Sequence, residues 1–127
     1  MRIAIDTNAY VSFCRGEGGS VAIFREAEEL AVPFIVLGEL RAGFAAGTKA
    51  RNNERELAHF LASKRVRTLW PDEDSIQYYA NLFAQLSSAG MPIPTNDIWI
   101  ASLVIQHNLS LFTFDEHFNR IPQLLRT

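Results

Sequence analysis

Apolar residues along this chain follow two rhythms, short β-branched runs and longer stretches with a 3.6-residue period. Residues 2–5, Arg-Ile-Ala-Ile, are short and apolar and predict a buried strand stopping at Asp6. A helix is expected over residues 8–13, broken by Gly16-Glu17-Gly18-Gly19. Ser20 then caps a second helix to about Leu30, with Val21, Phe24 and Ala27 on one face. The run 33–37 reads as the second strand, stopping at Gly38-Glu39, and Glu39 opens a helix that Gly47 ends. Another helix covers about 53–63, with Leu57, Phe60 and Leu61 as its inner stripe.

Residues 66–70 predict a third strand, stopped by Pro71. Asp72 or Asp74 caps a helix over 75–88, where Ile76, Tyr79, Ala80, Phe83 and Leu86 keep the helical period. Met91-Pro92-Ile93-Pro94 must be extended, because a residue before proline avoids the helical region. Thr95 or Asn96 caps a helix over 97–107, and 109–114 is the fourth strand, leading into Asp115. A last short strand is expected near 123–125. Strands alternating with helices predict an α/β fold on a parallel sheet.

With 127 residues, 48% hydrophobic and 20% charged, one domain of ordinary globular composition is expected. Acid arrives at Asp6, too early for a signal peptide, and no apolar run approaches the ~20 residues of a membrane span. The single Cys14 allows no internal disulfide and no thiolate cluster, so a reducing cytoplasm is the expectation. The net charge of −2 conceals an asymmetry. Between residues 41 and 67, seven cations (Arg41, Lys49, Arg51, Arg55, Lys64, Arg65, Arg67) face only Glu54 and Glu56. Such a stretch suits a polyanion bound by its backbone, and equally a solvated helical hairpin.

Four carboxylates change the picture most. Asp6, Glu39 and Asp115 each follow a predicted strand, and Asp97 opens the nearly all-apolar segment Ile98-Trp99-Ile100-Ala101-Ser102-Leu103-Val104-Ile105. Burying an ionised carboxylate alone costs several kcal/mol or shifts its pKa until it neutralises. The helix dipole, worth roughly 0.3–1 kcal/mol, explains Asp97 by itself but not its company. In open parallel sheets, function gathers outside the carboxyl ends of the strands, where strand order reverses. Acids gathered there suit a hard divalent cation, Mg²⁺ or Mn²⁺, and chemistry on phosphates.

The motifs around these acids are Ile5-Asp6-Thr7-Asn8, Gly38-Glu39-Leu40-Arg41, Pro94-Thr95-Asn96-Asp97-Ile98-Trp99-Ile100-Ala101 and Leu111-Phe112-Thr113-Phe114-Asp115-Glu116-His117-Phe118. In order, spacing and overall length the chain resembles the PIN-domain family, in particular VapC-type ribonuclease toxins of toxin–antitoxin pairs. The resemblance implies a three-layer α/β/α fold with a parallel sheet of order 3-2-1-4-5. It implies Asp6, Glu39, Asp97 and Asp115 as the metal-binding quartet, with Thr7, Asn8 and Thr113 supporting the site. It further implies a Mg²⁺- or Mn²⁺-dependent endoribonuclease using metal-activated water, a homodimer, and inhibition by a cognate antitoxin, with transfer RNA as the family-level substrate. The stretch Ile121-Pro122-Gln123-Leu124-Leu125 lacks the glycine often found before the last strand, which weakens the fifth-strand expectation.

Other residues carry competing readings. Arg41, Lys49 and Arg51 are candidate phosphate contacts, although Arg41 pairing with a neighbouring acid is an equal reading. Glu116 adjoins Asp115 and offers to share its role. His59, His107 and His117 suggest acid–base cleavage, yet packing, a helix end and a local hydrogen bond account for them in turn. Trp70, Tyr78, Tyr79 and Trp99 can stack on bases, but their periodic positions favour core or dimer packing. A phosphoacceptor signalling domain requires a lysine near the last strand, and the only lysines are Lys49 and Lys64. An aspartyl phosphatase requires an acid where Asn8 stands. A non-catalytic interaction module remains the other class, opposed by the intact acidic set.

Overall fold

The computed structural model describes residues 1–127. The elements run β1 (Arg2–Ile5), α1 (Thr7–Cys14), α2 (Gly18–Glu26), β2 (Glu29–Pro33), α3 (Phe34–Ala46), α4 (Ala50–Leu61), β3 (Val66–Leu69), α5 (Glu73–Ser88), α6 (Thr95–Gln106) and β4 (Ser110–Phe112). A 3₁₀ turn, Glu116–Arg120, follows β4. No helix is long and apolar enough to cross a membrane.

All strand pairs are parallel and their order is β3-β2-β1-β4. β1 is central, and Ile3, Ala4 and Ile5 are fully buried, as a strand covered on both faces must be. From β1 the chain steps outward through β2 to β3, then returns to β4 on the other side of β1. The strand-order reversal therefore lies between β1 and β4. α6 is as buried as its composition demands: Ile98, Ile100, Ala101, Leu103 and Val104 are all at most 2% exposed. Ser102, fully buried on the same helix, donates to the Ile98 carbonyl at 2.6 Å and so carries no unmet polar group.

The second strand corrects the expectation in register. It occupies Glu29–Pro33, and the apolar run that follows is the start of α3 rather than a strand over 33–37. Periodicity alone does not separate a buried strand from a buried helix in so short a run. Tertiary pairing does. Glu29 lies opposite Arg2 in the sheet and bonds Arg2 at 2.8 Å and Arg67 from β3, pinning this register between two arginines. Pro33 brings no backbone donor, so it closes the strand, and Val36, Leu37 and Leu40 then reach the core on one helical face. α2 correspondingly ends at Glu26, short of Leu30.

The fifth strand does not form. Leu111 N–H donates to the Leu125 carbonyl at 2.8 Å and Thr127 N–H to the Leu111 carbonyl at 2.9 Å, a single bridge between Leu111 and Arg126. Pro122 lacks a donor, and turn bonds hold Ile121 to Phe118 and Leu124 to Ile121, so extended pairing begins too late to make a strand. Asp72 proves to be the cap of α5, in a reciprocal capping box with Ser75.

Leu103 is fully buried in the cluster joining α6 to the sheet. Leu103→Ala is expected to lower unfolding free energy by about 2–5 kcal/mol, measured by urea denaturation.

Candidate active site

Sheet order brings the ends of β1 and β4 side by side, and the first functional contact follows. Thr113, just past β4, donates its hydroxyl to Asp6 Oδ2 at the end of β1. The same hydroxyl accepts the Asp115 N–H at 3.0 Å, so one side chain ties two acids 109 positions apart in chain order into a single unit. Asp6 also caps α1, its Oδ1 accepting the Ala9 N–H at 2.9 Å. Asp115 caps the 3₁₀ turn, its Oδ1 accepting the His117 N–H at 2.9 Å.

Glu39 does not follow a strand directly. It projects from the second turn of α3, the consequence of the shifted second strand. It still reaches the others: Thr7 donates to its Oε1 at 2.7 Å and Asn96 Nδ2 to its Oε2 at 3.3 Å. Because Thr7 follows Asp6 and Asn96 precedes Asp97, these two bonds stitch Glu39 to both acids' elements. Asp97 sits in the first turn of α6.

His117 closes the circuit, with Nδ1 3.4 Å from Asp97 Oδ2 and 3.3 Å from Asp115 Oδ1. That nitrogen is buried and makes no hydrogen bond. Asp97, Asp115 and His117 present ligand atoms within 4.8 Å of one another. No lysine or arginine forms an ion pair with any of the four carboxylates; the cationic pairs go to Glu28, Glu29 and Glu54.

The electrostatic consequence is strain. Burial, followed by repulsion from Asp115 and Glu39, holds the Asp6 carboxyl above its ordinary 3.8, against opposing bonds from Thr113 and Ala9. Asp97 is raised in the same way, by burial first and then by Asp115, with His117 pulling it down. Both acids thus feel the same neighbours, Asp115 and Glu39, which places the quartet in one electrostatic cluster. A divalent cation answers this donor set: hard oxygens, an orphaned nitrogen and uncompensated negative charge.

Other expected contributors fall elsewhere. Asn8 is exposed and lines a shallow cleft with Val11, Arg15 and Phe114, apart from the carboxylates. Glu116 is exposed beside Asp115 and makes no hydrogen bond to the quartet. Arg41 pairs with Glu54 at 3.4 Å, both half-exposed, while Lys49 and Arg51 are exposed and unpaired. Arg65 and Arg67 serve the fold: Arg65 donates to the Phe24 and Ala27 carbonyls and Arg67 to Glu29. His107 ends α6, but burial and Arg67 depress its pKa, which works against the cation its dipole position suggested. Trp99 packs on Tyr79 at 4.5 Å and on Phe34 at 5.8 Å, which agrees with packing rather than base stacking.

Two contributors escaped the sequence reading, Asn96 and His117. Asn96 looked like a helix cap, and His117 like a local packing residue; the two-residue spacing from Asp115 was the only signal available. A separate cleft of about 700 Å³, lined by Tyr10, Phe13, Val21, Phe24 and Phe60 together with Arg55 and Glu56, contains none of the four carboxylates of the site.

A parallel α/β sheet with four carboxylates gathered at its strand-order reversal defines the class, an open α/β fold with an acidic site at the carboxyl edge of its sheet. The model of the PIN domain matches residues 3–124, and the chain belongs to the PIN-domain family. It is 34% identical over 97 residues to Ribonuclease VapC2 of Rickettsia felis, covering 76% of this chain and 71% of that protein. Among solved structures it matches VapBC2 from Rickettsia felis bound to a promoter DNA fragment, with TM-score 0.88, 28% identity and coverage of 100% and 98%. VapBC-1 from nontypeable Haemophilus influenzae matches with TM-score 0.87, 26% identity and coverage of 100% and 97%.

Stability of the metal-free protein tests the electrostatics. Because the Asp97 pKa is raised on folding, the native state binds more protons than the unfolded chain between pH 3.8 and that raised value. Its contribution therefore opposes folding at neutral pH, and the opposition fades as pH falls through the window. In chelator, Asp97→Asn is expected to melt above wild type at pH 7, with the gap in thermal midpoint closing toward pH 4.

Proposed function

We propose that this protein is a VapC-type endoribonuclease toxin that hydrolyses RNA phosphodiester bonds and is inhibited by a cognate antitoxin. Convergence of Asp6, Glu39, Asp97 and Asp115 without a lysine or arginine counterion carries this reading. These four residues would hold the cation, Mg²⁺ or Mn²⁺. When bound, such an ion supplies charge neutralisation at the phosphate and lowers the pKa of water.

The chain's own residues prepare the site. Thr113 and the Ala9 N–H occupy opposite oxygens of Asp6, fixing its carboxylate plane. Thr7 and Asn96 do the same for Glu39. Hydrogen-bonded carboxylates in fixed orientations lose little freedom on meeting a cation, the usual purpose of such outer partners. Water attack at phosphorus with departure of the 3′ oxygen leaves a 5′-phosphate and a 3′-hydroxyl. Exposed Lys49, Arg51, Arg55 and Lys64 form no ion pair, so they are available to an RNA backbone. Transfer RNA is the substrate this reading favours, in a cytoplasmic setting.

Asp6→Ala and Asp97→Ala are each expected to reduce cleavage of total cellular RNA by more than about a hundredfold, beyond the loss from an outer-partner change. Circular dichroism should show the fold intact, and chelator should abolish cleavage. Full activity in chelator would move the chemistry to the histidines. An inactive wild type in Mn²⁺ would favour a non-catalytic module.

A homodimer belongs to the same proposal. Trp70 and Phe83 are 66% and 47% exposed, and they flank the Phe34, Trp99 and Tyr79 ring contacts. Large exposed aromatics in a row suit an interface core. The double change Trp70→Asp and Phe83→Asp is expected to leave a monomer in light scattering, whereas an unchanged mass would exclude this face.

A further inference from the structure

His117 is poorly explained as a packing residue. Its neighbour Phe118 is buried to 1% exposure and anchors the 3₁₀ turn, while the His117 N–H is tied to Asp115 Oδ1. Backbone and anchor together aim the ring inward, so that Nδ1 is buried although the side chain as a whole is 42% exposed. The position is thus imposed, and what it imposes is a nitrogen facing two carboxylate oxygens.

Nδ1 stands 3.3 Å from Asp115 Oδ1 and 3.4 Å from Asp97 Oδ2, and no hydrogen bond joins it to either. With the ring proton on Nε2, its lone pair faces two carboxylate oxygens, and a cation among the three atoms gives that lone pair a partner. Ligands about 2.1 Å from an octahedral ion stand about 3 Å apart along adjacent positions. The two observed separations are near that spacing.

We propose that His117 is a nitrogen ligand of the cation held by Asp97 and Asp115, biasing the site toward Mn²⁺ over Mg²⁺. This rests on the metal-dependent reading above and adds to it the ligand that sets ion preference. Carboxylate and water oxygens suit Mg²⁺ and Mn²⁺ alike, whereas imidazole is the softer donor and favours the transition ion. A cleft made of the acidic quartet alone has no such basis for choice.

The test is binding, not turnover. Calorimetric titration of the full chain with Mn²⁺ and with Mg²⁺ gives the affinity ratio, and electron spin-echo spectroscopy of the Mn²⁺-loaded protein detects a directly bound ¹⁴N. The expected result is an imidazole ¹⁴N modulation in wild type, lost in His117→Asn and His117→Gln. The Mn²⁺-over-Mg²⁺ ratio should fall about tenfold in both variants. His59 and His107 remain in these variants, so the lost signal belongs to His117. Saturable Mn²⁺ binding that depends on Asp97 but shows no ¹⁴N modulation would overturn the ligand role. Tighter ion binding in His117→Asn would also overturn it, by showing the imidazole to be a competing cation. No ion binding by wild type would sink the metal-dependent reading itself, and this proposal with it.

Discussion

Negative charge gathered at one end of a buried sheet, with no lysine or arginine to balance it, is the constraint around which the site is organised. Like charges at short range in a partly dry cleft repel, and folding alone offers nothing to offset that. The protein tolerates the arrangement by spending neutral donors on it: two threonine hydroxyls, one asparagine amide and two backbone N–H groups. These bonds orient the carboxylates without cancelling their charge. An arginine would have stabilised the fold and spoiled the cleft.

Topology makes the gathering possible. A return from β3 to the far side of β1 opens the sheet at its carboxyl edge between β1 and β4. Thr113 and Asp6 meet across that opening, and the start of α6 brings Asp97 and Asn96 over it. The apolar density of α6 therefore also fixes the position of Asp97. A helix buried on nearly all sides cannot shift to relieve repulsion on Asp97, so the acid stays where the other acids are.

Basic residues divide in the same physical terms. Arg65 and Arg67 reach backbone carbonyls and Glu29, locking β2 and β3 in register, and Arg41 meets Glu54 across α3 and α4. The remaining cations of that segment stand in solvent. One compositional feature thus divides into cations that hold the fold and cations left in solvent, and only contact geometry tells the two apart.

Much of this was legible in the chain before any coordinates. Residues 2–5 as a central strand, the capped helix after Asp72, the buried helix after Asp97 and the four acids beside apolar runs follow from local pattern and the cost of burying charge. The fold class and strand order 3-2-1-4 agree with the resemblance to PIN domains. What local pattern left undetermined was the state of residues 33–37, which satisfy strand and helix equally. Pairing of residues 29–33 with β1 and β3, which buries Leu30, Ala31 and Val32, decided it, and so moved Glu39 from a strand end to a helix turn. The orientation of the His117 ring toward Asp97 was equally beyond sequence, because it depends on Phe118 packing and on a helix 20 positions earlier. Residue type and period determine which groups must be buried and which are chemically able; only the packed fold decides which of them face one another, since those distances arise between segments remote in the chain.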